Sequence, residues 1–464
     1  MRRLCLPIVI FFLVIVFFMP AFAEIKFDGG AYLRLRYEYW RNVMDLANPV
    51  DSNNRDNRSL FRIKTSLWGK VNFDENNSLY VKLSNENRAF TEFQGTSSSY
   101  PDKQPGKKGY HYDINEVYFE NLYLDLNNFM NLPLDLRIGR QDFFGQYGEG
   151  FLISDGTPVD GSRSLYFNAA KASWRIDEKN TLDFAYINDP RFDQFLPRIN
   201  DSGLVNYKTG YKTERIYLTT TDEQGYVLYW KNKAIKDLAL EGYYIFKRES
   251  EEGGSGVYTG EKTLLSTLGS FAKYSFAPYT LRMQAAGQWG SYGKEDRTGL
   301  GGYVYLDREI QEVKTWSPSA TLGYFYLSGD NRKTDKQEGW DPLFSQNPWM
   351  SDLYMYTIAR ETGAIAYWTN ICGLRTQIFL NPTDKTKITL GYLYLRAAQS
   401  VPSTANAMFS GNSKDRGHLA QCKLEYIFSK YSTFILSAEY FIPGRFYANR
   451  DPAVFLKTEL ITKF

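Results

Sequence analysis

Residues 134–144 read LDLRIGRQDFF, residues 145–163 read GQYGEGFLISDGTPVDGSR, and residues 164–174 read SLYFNAAKASW. The first part alternates between an apolar parity (Leu134, Leu136, Ile138) and a polar one (Asp135, Arg137, Gln141). A period of two residues predicts a β-strand with one apolar and one charged face. We interpret the whole segment as strand, glycine-rich loop and strand. In a soluble sandwich the charged face would meet water, whereas in an outer-membrane barrel it would line the lumen and the apolar face would meet lipid.

The N-terminus has the composition of an exported protein. Met1-Arg2-Arg3 is a basic start, residues 4–19 are apolar, and Ala21-Phe22-Ala23 fits a signal-peptidase site. We therefore predict a signal peptide over residues 1–23 and a mature domain over residues 24–464. The alternative is an uncleaved anchor helix. Loss of Arg2 and Arg3 takes the formal net charge from +3 to +1, which gives no overall charge bias that would indicate nucleic acid as a partner.

The mature chain lacks the features of a helical membrane protein. After Glu24 no uncharged apolar run approaches the length of a spanning helix, which is about 18 residues or more. Cys372 and Cys422 both fall on the apolar parity of separate strands. We therefore predict two free thiols that face lipid rather than a disulfide.

Amphipathic strands follow one another along the chain, beginning with residues 25–40, 58–71, 79–88 and 113–126. A slip of parity near Glu120-Asn121 predicts a β-bulge. The connections alternate in length. Short ones cover 72–77, 127–133, 175–180, 231–236, 276–278, 309–315, 381–387 and 428–432, and long ones cover 41–57, 89–112, 190–224, 249–262, 329–357, 399–416 and 443–452, with 291–298 as a short member of the long class. This pattern predicts about 18 strands, with short turns on one side and long loops on the other, as in bacterial outer-membrane barrels.

The C-terminus and the aromatic residues favour the same fold. Residues 453–464 read AVFLKTELITKF, an amphipathic strand that ends in Phe464 and resembles the C-terminal signal of outer-membrane barrels. Aromatic residues make up 17% of the chain, and pairs such as Phe143-Phe144 lie near strand ends, where a membrane interface favours them. We predict an all-β transmembrane antiparallel barrel with short periplasmic turns and long extracellular loops, in the outer membrane of a Gram-negative cell.

Catalytic motifs do not occur in the sequence. There is no CxxC, no HExxH and no metal-ligand spacing, and residues 145–150 do not form a GxGxxG motif. The histidines are His111 and His418, and a barrel hydrolase would need His418 beside a Ser or Asp. We predict that the protein is not an enzyme and uses no cofactor or metal.

The polar parity of the strands repeatedly carries basic residues, namely Arg34, Arg36, Arg62, Lys64, Lys82, Arg137, Arg282, Arg375, Arg396 and Lys423. Carboxylates share that parity, namely Glu38, Asp135, Asp183, Glu241, Glu425 and Glu459. One interpretation is a salt-bridged lumen wall. The other is a cationic path for an anionic solute, because guanidinium groups bind carboxylates bidentately and basic rings are a usual means of anion selectivity. The basic early strands favour the second interpretation.

Several motifs resemble the alginate-export family of outer-membrane barrels. They are Arg137-Ile138-Gly139-Arg140-Gln141-Asp142, Gly148-Glu149-Gly150-Phe151-Leu152-Ile153, Asp160-Gly161-Ser162-Arg163, Arg34-Leu35-Arg36-Tyr37-Glu38 and Glu116-Val117-Tyr118-Phe119. The resemblance implies an 18-stranded barrel whose arginine-rich lumen passes an acidic polysaccharide delivered by a periplasmic partner. Position by position, it assigns Arg34, Arg36, Arg137, Arg140 and Arg163 to the solute path, to which the lumen parity adds Arg62. Asp155-Gly156-Thr157-Pro158 differs from the Trp-containing loop expected of dedicated alginate exporters.

We therefore predict a passive outer-membrane channel for an anionic polysaccharide or a related acidic solute. Loops such as residues 145–161 would narrow its pore. The expected partners are outer-membrane lipid, the acidic solute and periplasmic export machinery. Two alternatives stay open, a general porin for small solutes and a closed barrel that serves as a structural or adhesive surface protein.

Overall fold

The structure is a computed structural model that describes residues 25–48, 57–93, 111–113, 117–154, 167–191, 193–199, 221–250, 262–345 and 347–464. The predicted signal peptide, Arg163 and residues 155–161 of the glycine-rich loop lie outside the described residues.

The described chain is built almost entirely of β-strands. In order they are β1 (Lys26–Arg41), β2 (Arg58–Asn72), β3 (Asn77–Phe93), β4 (His111–Asp113), β5 (Val117–Leu126), β6 (Leu134–Gln141), β7 (Ile153–Ser154), β8 (Phe167–Arg175), β9 (Asn180–Asp189), β10 (Arg198–Ile199), β11 (Glu223–Asn232), β12 (Leu238–Glu249), β13 (Thr263–Phe276), β14 (Tyr279–Tyr292), β15 (Glu295–Glu309), β16 (Ser319–Leu327), β17 (Phe344–Ser345), β18 (Ile371–Thr383), β19 (Thr386–Arg396), β20 (Asp415–Ile427), β21 (Ser432–Pro443) and β22 (Ala453–Lys463). A short α-helix, α1, spans Tyr354–Thr362, and a single 3-10 turn spans Phe129–Asn131.

Eighteen of these described strands form one closed antiparallel barrel. Each barrel strand pairs with the next one along the chain, and β1 pairs with β22 from Tyr32 opposite Lys463 to Arg41 opposite Val454. The short strands β4 and β10 add to the edges of β3 and β5, and β7 pairs with β17 apart from the wall. The predicted barrel class and strand number are therefore confirmed. Closure gives every described barrel strand a partner on both sides, as a membrane-spanning sheet requires.

The connections separate into two classes, as predicted. Eight short turns of the described chain lie at one end, together with Ile25 and Phe464, and we call this the short-turn end. The longer connections lie at the opposite long-loop end, where residues 293–294 form the short exception. The predicted bulge is also confirmed, because Lys82 pairs with Asn121 and Leu83 with Phe119, which leaves Glu120 without a partner in the register.

The outward face of the barrel is apolar. It exposes side chains that alternate along the strands with buried ones, among them Leu35, Phe61, Leu67, Leu228, Leu300, Leu322 and Leu374. Cys372 and Cys422 are free thiols at outward-facing positions, as predicted. In the described part of the chain, no helix is both long and apolar enough to cross a membrane.

The inward face is polar in some regions and apolar in others. In the long-loop half, Leu327, Leu393, Leu395, Leu419 and Phe441 point inward and are fully buried. Because Leu393 and Leu395 of β19 point inward, the next residue, Arg396, points outward, and it is exposed. The prediction that Arg396 lies in the lumen wall is therefore wrong. The parity was misassigned because apolar residues on this strand contact protein inside the barrel rather than lipid.

Candidate functional site: the channel interior

Two long connections fold into the barrel. Residues 142–154 follow β6, and residues 328–370 connect β16 to β18. They meet where β7 and β17 pair in parallel, with Ile153 opposite Phe344. The backbone N–H of Phe344 also donates to the carbonyl oxygen of Leu152 at 3.0 Å. We call residues 142–154, 340–345 and 347–362 the plug.

The plug forms an apolar core inside the barrel. Its buried members include Phe143, Phe151, Leu152, Trp340, Leu353 and Ile358. The rings of Phe151 and Trp340 stack with their centroids 5.3 Å apart. The ring centroid of Tyr147 lies 4.5 Å from that of the wall residue Tyr229. Burial of apolar area stabilises at about 25 cal/mol per Å², so this contact between plug and wall is a substantial part of the fold. The predicted narrowing by the glycine-rich loop agrees with the position of residues 145–154.

Sequence reasoning missed the larger part of the plug. The sequence pattern predicts an ordinary long loop over residues 329–357 and a strand after it. The structure instead has α1 from Tyr354 to Thr362, and β18 begins only at Ile371. A signal was present, because the segment WDPLF at 340–344 and the residues Trp349, Met350 and Leu353 are unusually apolar for a surface loop. Such composition indicates a connection that is buried.

Polar contacts fasten the plug to the wall. Glu149 accepts a hydrogen bond from Arg282 at 2.7 Å and from the Tyr303 hydroxyl at 3.1 Å. Asp341 forms an ion pair with Arg297 at 2.8 Å. Burial would raise the pKa of the Asp341 carboxyl, but the charges of Arg297 and Lys247 hold this pKa below its ordinary value. The plug is therefore attached by buried charge pairs as well as by apolar contacts.

A second set of contacts holds the segment that precedes α1. Glu439 of the wall accepts hydrogen bonds from the Ser351 hydroxyl and from the backbone N–H of Leu353, the latter at 2.9 Å. Lys457 forms an ion pair with Asp352. These contacts lie on β21 and β22. On the opposite side of the barrel, Lys247 of β12 donates to the carbonyl oxygen of Leu343 at 2.9 Å, so the plug spans the lumen.

Two wall glycines make room for plug aromatic rings. A Cβ atom at Gly301 would lie 2.6 Å from Cδ2 of Trp340, and one at Gly225 would lie 2.5 Å from Cζ of Phe344. Both distances are shorter than carbon–carbon contact allows. The absence of a side chain at these positions therefore allows the plug to lie against the wall.

We expect Gly301→Val to displace Trp340 and loosen the plug. Overpacking of this kind costs about 1–3 kcal/mol of unfolding free energy, and Trp340 should gain water contact. Urea unfolding and tryptophan emission of the folded barrel measure the two effects. Gly287→Val on β14 is the matched control, because a Cβ there meets nothing within 4 Å. Equal effects of the two substitutions would contradict the proposal that Gly301 makes room for the Trp340 ring.

Three predicted path residues, Arg34, Arg36 and Arg62, lie together on the inner wall and are buried. Arg34 pairs with Glu86, Arg36 with Glu459 at 2.6 Å, and Arg62 with Glu38 and Glu86 at 2.8 and 2.9 Å. The register sets Arg36 opposite Arg62 and Arg34 opposite Lys64. Like charges in opposed positions repel, and the glutamates that lie between them offset this repulsion. This geometry matches the salt-bridged-wall interpretation for these three arginines.

The basic positions continue toward the short-turn end. Lys64 and Lys82 both pair with Glu120, at 3.0 and 3.2 Å. Arg137, with 31% of its side chain exposed, pairs with Asp125 at 2.6 Å and lies over the Tyr123 ring. We call Arg34, Arg36, Arg62, Lys64, Lys82 and Arg137 the basic ladder.

Arg140 does not belong to the ladder. It has the strand parity of the exposed Ile138, and its register partner is Asn168. Its guanidinium binds Asp193 at 2.7 Å and Asn168 at 3.1 Å. The structure therefore separates Arg140 from the other arginines of the predicted path, because its side chain does not share their inward parity.

His418 also lies away from the lumen. It is exposed at an outward position of β20, where Nδ1 is hydrogen-bonded to the Tyr392 hydroxyl at 2.7 Å and the ring stacks on Tyr394. Among the residues that the structure describes, no group of three or more His, Cys, Asp or Glu is arranged to hold a metal ion.

Two of the cavities formed by the described residues lie between the plug and the short-turn end. The larger has a volume of about 440 Å³ and is lined by plug residues Glu149 and Trp349 and by wall residues that include Arg282, Tyr305 and Arg375. The smaller, of about 300 Å³, is lined by plug residues Gly145 and Gln146 and by Lys231 and Glu241 of the wall. Both volumes are close to the range of about 300–1,000 Å³ that small-molecule sites occupy.

A closed antiparallel barrel with an apolar outer face and a charged, cavity-bearing interior defines an outer-membrane channel. Solved channels of Pseudomonas aeruginosa share this fold. OccK5 (OpdH) matches with a TM-score of 0.52 at 8% identity, over 94% of this chain and 98% of that one. OccD3 (OpdP) matches with a TM-score of 0.52 at 11% identity, over 96% and 93%. OccK2 (OpdF), solved in complex with glucuronate, matches with a TM-score of 0.51 at 11% identity, over 94% and 98%.

The family model described as alginate export matches residues 27–457. The chain therefore belongs to the alginate export family, and the resemblance predicted from its motifs is confirmed. A comparison with curated proteins gives no match. The predicted outer-membrane location and transport class are confirmed with the family and the fold.

Proposed function

We propose that the channel carries acidic saccharides, or related carboxylates, passively across the outer membrane. The basic ladder is the observation that carries this proposal. Its members occupy successive positions of the inner wall, from Arg36 opposite Arg62, through Arg34 opposite Lys64, to Arg137 near the short-turn end. Arg34, Arg36, Arg62 and Lys64 are buried within their ion pairs and make this wall basic. An acidic solute that follows the wall can reach Lys82 and Arg137, whose side chains are 23% and 31% exposed.

Each ladder cation already has a carboxylate partner, and this suits transport better than tight binding. A solute carboxylate that approaches Arg137 replaces Asp125 in one ion pair and releases it to water or to a neighbour. Such an exchange trades one ion pair for another, so the solute gains little net free energy at any position. Conduction requires sites that are favourable enough to be occupied and weak enough to be left.

The comparisons support an acidic saccharide as the solute. The family model is described by alginate export, and OccK2, which shares the fold, was solved with glucuronate. A periplasmic partner that delivers the solute is part of this proposal, as is removal of residues 1–23 after Ala23 on export.

The plug favours a second candidate, the closed surface barrel. Its apolar core fills the long-loop half of the lumen, so passage requires the plug to shift. A barrel in which the plug never moves would conduct no ions, and conductance therefore separates the two functions.

We expect the protein in a planar bilayer under a salt gradient to give an anion-selective current. Uronic-acid oligomers should block this current, whereas neutral oligosaccharides of equal length should not, because only the former carry carboxylates. Arg137→Gln should weaken the block. Arg308→Gln, which removes the same charge at an outward position paired with Glu312, is the control. Open and weakly selective current that ignores the oligomers would overturn the proposal in favour of a general porin.

A further inference from the structure

We propose that the larger cavity is a binding site for a ring-bearing monocarboxylate, namely one uronate sugar unit, and that Arg375 binds its carboxylate. We call it the Arg375 cavity, and its lining includes Arg282, Tyr305, Trp349, Arg375, Gln377 and Phe379. The inference rests on the proposed function, because it names the place where the channel first recognises its solute.

The two arginines of the cavity differ in their partners. Arg282 is fully engaged, since Asp307 accepts from its Nε and Nη2 atoms and Glu149 accepts from Nη1 at 2.7 Å. Arg375 has no carboxylate within ion-pair distance anywhere in the described ranges of the chain. Its Nη1 donates to the carbonyl oxygen of Trp349 at 3.4 Å, which is long for a hydrogen bond, and its Nε is buried without an acceptor. Arg375 is thus a cation in the cavity wall whose guanidinium can still donate hydrogen bonds to an anion.

A second buried group lacks an acceptor in the same lining. The Tyr305 side chain is only 2% exposed, and its hydroxyl lies beside the Arg375 guanidinium, which cannot accept, so the hydroxyl has no acceptor among the described residues. The guanidinium of Arg375 lies 5.8 Å from the centroid of the Tyr305 ring. A buried donor without an acceptor is unfavourable. A carboxylate has two oxygens, so a single one can accept from both side chains.

The rest of the lining selects the kind of carboxylate. Trp349, Tyr305 and Phe379 offer apolar ring faces, on which the C–H face of a sugar packs, and the Gln377 amide can bond to hydroxyl groups. Glu149 adds a negative charge to the same cavity. That charge opposes a dianion such as a phosphate ester and tolerates a single carboxylate.

The position of the cavity makes it a loading site. Arg375, Gln377 and Phe379 descend along β18 toward its turn, and Phe379 lies opposite Ser319, the first residue of β16. The cavity is therefore on the short-turn side of the plug, which in this family of barrels faces the periplasm. A bound carboxylate also competes with the Trp349 carbonyl for Arg375, so binding removes one contact between the plug and the wall.

Calorimetric titration of the full-length folded barrel in detergent micelles tests this site with D-glucuronate as the probe. D-glucose and glucose 6-phosphate are the neutral and dianionic comparisons. We expect D-glucuronate to bind best, and Arg375→Gln to weaken it about 10- to 100-fold, since a hydrogen bond to a charged group contributes roughly 1.5–3 kcal/mol. Arg308→Gln should bind as the wild type does. Arg375→Lys should lose part of the affinity, because an ammonium group lacks the planar fork.

The outcomes separate failure of the site from failure of the proposed function. Equal affinity of Arg375→Gln and wild type, equal affinity for glucose and glucuronate, or no binding of glucuronate to wild type would each overturn the site. Anion selectivity in the bilayer, measured on the same proteins, would stand or fall independently. The heat-induced mobility shift of the folded barrel on a gel shows that each variant is folded.

Discussion

Single-channel conductance is expected to rise several-fold when residues 340–368 are excised and Gly339 is joined to Thr369 by a short glycine-serine linker. The two ends are neighbours, because a Cβ at Gly339 would lie 3.6 Å from Oγ1 of Thr369. The excised segment contains Trp340, Leu353 and Ile358, which fill the long-loop half of the lumen. Conductance is limited by the narrowest cross-section of a pore, and the excision removes the structure that produces it.

The same excision should expose the wall residues that now contact the plug. Arg297, Lys247 and Glu439 are buried in the intact protein and would then face water. Their charges would no longer carry the desolvation cost that their ion pairs now offset. Planar-bilayer recordings measure the conductance. Excision of residues 403–405, an exposed part of another long connection, is the matched control. If conductance is unchanged by removal of the plug segment, then the plug is not the constriction.

The second large effect is expected for Arg416→Ala, which should lower the unfolding free energy by about 3–5 kcal/mol. Arg416 is 1% exposed, and its Nη1 binds Glu361 of α1 at 2.7 Å, the Tyr354 hydroxyl at 2.8 Å and the Tyr447 hydroxyl at 2.9 Å. Loss of the guanidinium leaves the Glu361 charge buried without its cation, and this is the main source of the cost. Urea titration of the barrel folded in lipid vesicles measures the change.

Arg360→Ala provides the comparison within the same helix. Arg360 pairs with Asp45 at 2.6 Å, but the two side chains are 54% and 36% exposed. Exposed pairs contribute about 0–1 kcal/mol, so this variant should unfold almost as the wild type does. If Arg416→Ala and Arg360→Ala lower the unfolding free energy by similar amounts, then the buried ion pair between Arg416 and Glu361 is not what stabilises helix α1.

Much of the fold could be predicted because the two-residue period is a local property. Leu134, Leu136 and Ile138 predict an outward face wherever the strand lies in the barrel, and the slip at Glu120 is visible in the strand itself. The length of each connection can also be read from the sequence, so the short-turn end and the long-loop end could be told apart without knowledge of any contact. The motifs around Arg137 were sufficient to predict the family.

The candidate site could be predicted only in part, because parity says which way a side chain points but not what it meets. Arg34, Arg36 and Arg62 point inward as expected, yet each is bound to a glutamate from another strand. Arg375 was one of many basic residues on the polar parity, and nothing in its neighbourhood of sequence distinguishes it from Arg282. The difference arises because Glu149 of the plug and Asp307 reach Arg282, whereas no carboxylate of the described chain reaches Arg375.

The amino-acid sequence by itself determined the alternating strands, the barrel class, the two ends and the basic character of the early strands. Only the tertiary structure decided that residues 340–362 turn inward, that the long-loop half of the lumen is apolar, and which arginines are already paired. The physical reason is that the stagger of a barrel and the path of its long loops bring together residues that are hundreds of positions apart, such as Arg36 and Glu459. No local period carries that information.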